Sequence, residues 1–410
     1  MARLDGNFSF IIHPSLFHHQ SEFIIHLMKI AAISASHVPS NTANSIQALK
    51  AVHALAENGH DVTLILPADQ ATDTHQTCQA WPNLANLYGL RTEFCIEYLP
   101  VTTRRMFFIS AVWRARQIRP DLLYVWPIQS AVLGLLSGLP VILEMHDLPS
   151  GKFGPLWYRA FRTLKGQKRQ AIITAALKQS LEAEYGMFLP GEAIVTPNGV
   201  EIERFAHLPD PPTARRLLNL PEAPTIVCTG HLYTGRGMEL FLELAARLPN
   251  ARFLWAGGNP EDVETWKHKA QSRGLVNVTF SGFIHNAQLP LYQAAADILL
   301  MPYEREIGIS SGAGHSAQVS SPMKMFEYLA AGRAIVASDL AVFHEVLNER
   351  NAIFCPPERP GAWEGAIRAL LDDPVRRTAL AKQARADAAQ YTWMERAKRI
   401  LNEFPARRTK

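Results

Sequence analysis

From residue 29 onward, short apolar runs alternate with stretches whose apolar positions recur every three to four residues. The runs at 30–34, 62–66, 122–125, 141–144, 171–174 and 193–196 predict buried strands in the first half. Runs at 225–229, 252–256, 278–281, 298–301 and 334–337 predict a second set. Strands alternating with helices argue for parallel sheets covered on both faces, so the expected class is α/β with two doubly wound sheets. Between the two sets, residues 205–222 carry Pro209, Pro211, Pro212 and Pro221, with Pro224 just beyond, and predict an interdomain linker. Sheets of this kind bind ligands at the carboxyl ends of their strands, so a cleft between the two is the expected site.

Residues 320–345, SSPMKMFEYLAAGRAIVASDLAVFHE, carry the most local information. Ser320 and Ser321 suit a helix N-cap, and Pro322 tolerates the first turn because its missing N–H has no partner there. Met325, Phe326, Leu329 and Ala330 form an apolar stripe at helical spacing, Gly332 stops the helix, and 334–337 is a buried strand. Free N–H groups of that first turn make an anion site. Glu327 falls two turns in, beside the stripe, where a carboxylate needs a partner; sugar hydroxyls would serve. On these residues alone, an ordinary helix–strand unit with a solvated Glu327 stays open.

The second set of strands opens with Gly230-His231-Leu232-Tyr233-Thr234-Gly235-Arg236-Gly237, between a strand and a helix. Its glycines let backbone approach a phosphate, and Arg236 supplies a permanent forked cation; a glycine-rich turn with an exposed Arg is the plainer alternative. The strand at 141–144 ends in Glu144-Met145-His146-Asp147, with Asp147 able to orient the imidazole or to cap the next segment. The first strand leads through Asn41, Thr42, Ala43, Asn44 and Ser45 into a helix expected at 46–57, a polar loop with no glycine. Pro197-Asn198-Gly199 predicts a tight turn.

Together these segments resemble the retaining glycosyltransferases of the GT-B fold, family 4 (glycosyl transferases group 1), over nearly the whole chain from Met28. The resemblance implies two Rossmann-like domains facing a cleft: 28–205 with a crossover helix at 391–404, a linker at 206–222, and a donor domain at 223–390. Residues 1–27 then form an extension, with Met28 as the expected biological start. It implies that Glu327 holds the donor ribose and that Ser320, Ser321, Pro322, Met323 and Lys324 lie over the diphosphate. The family's Gly-Arg…Lys-Gly loop maps onto His231 and Arg236, with Gly235 and Gly237, as diphosphate binders. Phe283 and Ile284 flank the base. Asn41, Thr42, Ala43 and Asn44 form the acceptor and phosphate loop, and His146 faces the transferred sugar. The implied catalytic set is His146, Arg236 and Glu327, with no protein nucleophile; the leaving phosphate helps to deprotonate the acceptor.

Three departures stand out: Val319 where many members carry a second Glu, His231 in place of Arg, and the glycine-free first loop. They keep open a degenerate GT-B subunit that binds a partner without catalysis. A nucleotide-sugar 2-epimerase shares the fold but needs a pair of carboxylates in the cleft, and no convincing pair is evident. The loop at 302–320, with Gly308, Gly312 and Gly314, is placed to shape the acceptor pocket.

Composition narrows the partners. With 410 residues, 48% hydrophobic and 19% charged, the chain can bury two sizeable cores. No apolar run reaches membrane-span length, and residues 1–27, with Asp5, Glu22 and four histidines, do not read as a secretory signal. Cys78, Cys95, Cys228 and Cys355 lack metal spacing and read as buried thiols in a reducing cytoplasm. No Asp-x-Asp pair occurs, so no metal and no resident cofactor are expected, only a UDP- or GDP-sugar as substrate.

The net charge of +4 is small, but residues 104–169 are locally basic. Arg104, Arg105, Arg114, Arg116 and Arg119 interleave with Met106, Phe107, Phe108, Val112 and Trp113; Lys152, Arg159, Arg162, Lys165, Lys168 and Arg169 do so with Phe153, Leu156, Trp157, Tyr158 and Phe161. This pattern suggests an anionic membrane surface at the inner face of the plasma membrane and a glycan or lipid-linked acceptor, as in cell-envelope polysaccharide biosynthesis; solvated helix faces are the alternative. No nucleic-acid-binding motif is present.

Overall fold

In a computed structural model, residues 27–68, 81–100, 104–306 and 316–404 are described. Cys78, the glycines Gly308, Gly312 and Gly314, the side chains of Arg104 and Arg105, and the extension up to residue 26 lie outside them.

The first half runs β1 (Lys29–Ile33), α1 (Ala43–Glu57), β2 (Asp61–Pro67), α2 (Trp81–Tyr88), β3 (Cys95–Leu99), α3 (Arg104–Ile118) and β4 (Leu122–Val125). It continues α4 (Ile128–Leu136), β5 (Val141–Met145), α5 (Gly154–Thr163), β6 (Lys168–Ile172), α6 (Ala175–Tyr185) and β7 (Ala193–Val195). A short helix, α7 (Pro211–Leu217), occupies the stretch expected as a linker. Pro211 and Pro212 sit at its start, where Asp210 accepts the Thr213 N–H, so two of the prolines in this stretch begin a helix between the two sheets.

The second half runs β8 (Thr225–Thr229), α8 (Met238–Arg247), β9 (Arg252–Ala256), α9 (Pro260–Ser272), β10 (Val278–Gly282), α10 (Leu289–Ala294) and β11 (Ile298–Met301). Then follow α11 (Ser316–Val319), α12 (Met323–Ala331), β12 (Ala334–Ser338), β13 (Ala352–Cys355), α13 (Pro360–Asp372), α14 (Pro374–Ala388) and α15 (Trp393–Leu401).

All strands pair in parallel, in the orders β3-β2-β1-β4-β5-β6-β7 and β10-β9-β8-β11-β12-β13. In each sheet the order reverses beside the first strand, β1 or β8, which is where a doubly wound sheet opens a crevice. Central strands such as β1, β4, β8 and β12 are buried on both faces, as their unbroken apolar runs require.

Several local expectations need correction. The helix holding Glu327 starts at Met323 with Pro322 at its N-cap, so Glu327 is one turn in, not two. Ser320 and Ser321 do not cap it. Ser321 Oγ accepts the Asn198 N–H at 3.1 Å and its carbonyl accepts Asn198 Nδ2 at 2.7 Å, a link across 123 residues that local chemistry cannot reveal. The first helix begins at Ala43, not 46. The strand expected at 171–174 is Lys168–Ile172: its polar start stays in the sheet because Lys168 Nζ satisfies three carbonyls at the end of α5, and Arg169 binds the carbonyls of Ile400 and Asn402. Cys95 is exposed at the start of the edge strand β3, whereas Cys228 and Cys355 are buried.

The two halves are joined by more than the chain. Glu345, from the second half, accepts the N–H groups of Ala175 and Ala176 at 2.6 and 2.9 Å, placing a carboxylate on the N-terminus of α6. Val319 packs in the core of the first half, and its carbonyl accepts Thr174 Oγ1 at 2.9 Å. Val319 is therefore part of a buried contact between the two halves. Helix α15 returns to the first half and packs on α1.

A buried ionic cluster lies under this junction. Glu201 pairs with Lys50, and His53 Nδ1 lies 3.4 Å from its other oxygen. Burial pushes the Glu201 carboxyl up, but Lys50, the His53 contact and Arg204 outweigh it and hold it at about 2. A depressed carboxyl contributes stability that is present above its unfolded value and is lost as pH falls through its folded one. Urea midpoints should therefore decline below about pH 4.5. The gap between wild type and Glu201→Gln should shrink over the same range; a gap that stays constant down to pH 3 would contradict this account of the cluster.

Candidate functional site

The site is a cavity of about 200 Å³ between the two sheets, at the carboxyl ends of β8 and β9. From the first half it is lined by Ser40, Asn41, Ala43, Ile46, Leu87 and Tyr88. From the second come the glycine-rich loop (Gly230, His231, Arg236), Gly257 and Gly258, Phe283, Ile284 and Asn286, and the start of α12 (Pro322, Met323, Lys324, Glu327).

The glycine-rich loop turns as its sequence demands. Gly237 sits at φ 82°, at the N-cap of α8, with the Pro302 carbonyl oxygen only 1.7 Å from where a Cβ would be. Gly235 also has positive φ. Neither touches the cavity; both shape the turn that delivers Arg236. The Arg236 guanidinium stands 4.8 Å from the Tyr303 ring centroid and donates to its hydroxyl. His231 stacks on Tyr233 at 4.9 Å, and its Nε2 lies 3.1 Å from the Asn41 carbonyl of the facing loop.

Glu327 is almost fully buried; Gln293 Nε2 donates to its Oε2 at 3.0 Å, and Gln293 is itself wholly buried. One turn earlier the Lys324 side chain crosses the Tyr303 ring at 4.9 Å. Lys324 was legible only as a backbone position over the diphosphate; its ammonium is a second cation beside Arg236. The open N-terminus of α12, which has no side-chain cap, adds its N–H groups to the same wall.

Around this cavity several buried polar atoms find no hydrogen-bond partner among the described residues: His231 Nδ1, Arg236 Nε and Asn286 Oδ1 on its lining, and Gln293 Oε1 behind Glu327. Buried polar atoms are normally satisfied, so such a cluster around one cavity marks a place for a polar ligand.

Of the first-loop residues, Asn41 and Ala43 reach the cavity, whereas Thr42 and Asn44 do not. Thr42 lies 2.9 Å from Ser40 Oγ through its hydroxyl and serves as N-cap of α1 without a side-chain cap bond. Ser320 and Ser321 also lie outside the lining. Phe283 is partly exposed at the rim and makes an edge contact with His285.

His146 stands at the carboxyl end of β5, outside the lining of this cavity. Glu144 Oε1 lies 3.0 Å from its Nε2, while Asp147 Oδ1 accepts the Leu148 N–H. Glu144 is wholly buried. Burial pushes its carboxyl up, but Arg396 of α15, followed by His146 and Tyr124, holds it down at about 2.

Known proteins resemble this chain in sequence and in fold. Residues 46–204 match the model described as Glycosyltransferase Family 4, and residues 223–373 match the one described as Glycosyl transferases group 1. Over 227 residues the chain is 29% identical to a D-inositol 3-phosphate glycosyltransferase of Corynebacterium urealyticum, covering 52% of this chain and 50% of that protein. Over 207 residues it is 28% identical to a GDP-mannose-dependent alpha-(1-6)-phosphatidylinositol monomannoside mannosyltransferase of Mycobacterium tuberculosis, covering 48% and 51%. The chain thus spans about half the length of these curated relatives. Among solved structures it is similar to Anabaena HepE in complex with UDP, at 18% identity, a TM-score of 0.70, and 91% and 98% coverage of the two chains. The two family models fall on the two sheets that frame the cavity, and the chain belongs to family 4 of the GT-B glycosyltransferases.

Proposed function

We propose that this chain transfers a sugar from a UDP- or GDP-sugar, bound in the cleft, to a glycan or lipid-linked acceptor, with retention of configuration and without a metal. The observation that carries this reading is the cluster of unpartnered buried polar atoms, two of them on the diphosphate-loop residues His231 and Arg236, around one cavity that also holds Glu327. Glu327 accepts the ribose hydroxyls. Arg236, Lys324, His231 and the first N–H groups of α12 meet the diphosphate and stabilise the charge that builds on the leaving group. Those cations do the work a metal would do on the diphosphate. The leaving phosphate takes the acceptor proton, so no protein nucleophile is assigned. His146 faces the transferred sugar. A GDP-mannose-dependent relative and UDP-bound or UDP-glucose-bound neighbours support a nucleotide sugar as donor.

The test is a panel of nucleotide sugars with chelator present, with product anomers read by NMR. Transfer or release of sugar with the donor's own configuration is expected. Inverted product, or activity lost to the chelator, would contradict the mechanism. Epimer formation would move the chain to the 2-epimerases, and nucleotide binding without turnover to degenerate subunits.

The acceptor side rests on one surface. Met106, Ile109 and Trp113 on α3, Leu136 on α4, and Phe153 and Leu156 beside or on α5 are exposed, and α4 contacts both α3 and α5. Arg116, Lys152, Arg159 and Lys165 are exposed on or beside the same helices. Other basic residues of the stretch are spent inside the protein: Arg114 makes a forked pair with Glu97, Arg162 binds the carbonyls of Gly186 and Met187, and Lys168 and Arg169 serve the sheet as described. Phe107, Phe108, Val112, Tyr158 and Phe161 are core. Among the described residues no helix is long and apolar enough to cross a membrane. This face supports peripheral docking on an anionic bilayer at the cytoplasmic side, where a lipid-linked acceptor would lie.

Vesicle co-sedimentation should rise with anionic lipid and fall only partly with salt, because insertion of apolar groups is not screened. Trp113→Ser with Leu156→Ser should weaken it more than Arg116→Ser alone. No binding to anionic vesicles at low salt would overturn the membrane reading.

A further inference from the structure

The carboxylate behind His146 is surrounded by donors. Glu144 Oε2 accepts the Tyr124 hydroxyl, and Oε1 accepts Gln47 Nε2 at 3.1 Å and an Arg396 guanidinium nitrogen, with His146 Nε2 at 3.0 Å from the same oxygen. Gln47 is itself held by Trp126 Nε1 at 2.9 Å. An ionised carboxylate can only accept, and Arg396 and Tyr124 keep this one ionised. The proton between Glu144 and His146 therefore belongs to the imidazole.

We propose that Glu144 is the positioning residue for His146: it fixes the ring with Nε2 protonated, so that Nδ1 is the atom left to meet the transferred sugar. The orientation of a histidine ring is commonly set in this way, by the partner of its other nitrogen. Only the word "sugar" rests on the transferase reading; the tautomer does not.

Arg396 extends the device. Its Nε donates to the carbonyls of Thr196 and Pro197, at 3.2 and 2.9 Å, in the turn that ends the first half. It is wholly buried and comes from the last helix, 252 residues from Glu144. The final helix thus braces the residue that aims His146, and the site in the first half is complete only when α15 is docked. Neutral Nδ1 is an acceptor, so the chemistry it selects is a sugar hydroxyl and not a carboxylate.

The experiment is ¹⁵N NMR of histidine-labelled protein, with the His146 signals identified by their loss in His146→Gln. In wild type, neutral His146 is expected as the Nε2–H tautomer. A neutral Nδ1–H tautomer would overturn the proposal without any variant having to fold. In Glu144→Gln, a tautomer mixture is expected, with turnover down about 10- to 100-fold and the donor KM nearly unchanged. Arg396→Lys, which keeps the charge, should retain the tautomer and most of the turnover. Mixed tautomers with wild-type turnover would overturn the positioning role. The assigned tautomer with no turnover of any nucleotide sugar would instead overturn the transferase reading and leave this assignment standing.

Discussion

Glu327→Ala is expected to lower affinity for the nucleoside diphosphate and its sugar about 10- to 100-fold, the range for losing a hydrogen bond to a charged group in a desolvated site. The carboxylate is nearly buried, one oxygen is engaged by Gln293, and it lies on the cavity wall. Alanine is a good helix former and α12 keeps its apolar stripe in the core, so the fold should survive. Glu327→Gln keeps the shape but removes the charge, and should fall between wild type and Glu327→Ala. Titration calorimetry with UDP and GDP decides it; unchanged affinity would remove Glu327 from ribose binding.

The larger effect on turnover is expected from the two cations. Arg236 and Lys324 flank the same Tyr303 ring, at 4.8 and 4.9 Å. An anion bound beside Tyr303 would meet both cations, and on the proposed function that anion is the donor diphosphate. Replacing either by Met should cut kcat about 10²- to 10³-fold, the usual cost of removing one group that meets developing charge. Arg236→Lys should recover only part, because the forked donor set is lost. The same variants should lose most of the thermal stabilisation that UDP or GDP gives wild type. Full turnover in Arg236→Met would place the leaving-group charge elsewhere.

Much of this arrangement is legible in the sequence, and the gaps have physical causes. Central strands are covered on both faces, so runs such as Leu122–Val125 and Ile298–Met301 are unbroken and easily found. Two strands were missed: Cys95–Leu99 lies at a sheet edge, where half-covered positions tolerate residues like Glu97 and break the apolar signal, whereas Ala352–Cys355, at the edge of the other sheet, is apolar throughout but only four residues long. Gly332 stops α12 in the left-handed region, as its place after the stripe implied.

Spacing was enough to bring Arg236 and Glu327 to the cavity wall, though not to fix where the helix before Glu327 starts. The site was not legible where a partner is chosen over long range. Ser321 looks like a cap and serves Asn198; the carboxylate beside His146 Nε2 is Glu144, two residues earlier, with Arg396 behind it. Lys324 and Gln293 acquire meaning only when α12 packs beside Tyr303 and α10. Half of the basic–aromatic signal was core and ion pairs, because periodicity does not say which face of a helix meets solvent.

The most direct test of a nucleotide sugar in the cleft is a crystal structure of the protein with a UDP- or GDP-sugar bound. The expected result has the ribose hydroxyls on Glu327, the diphosphate between Arg236, Lys324 and the first turn of α12, and the base beside Phe283 and Ile284. A nucleotide bound away from Glu327 and Arg236, with the cleft unchanged, would contradict it.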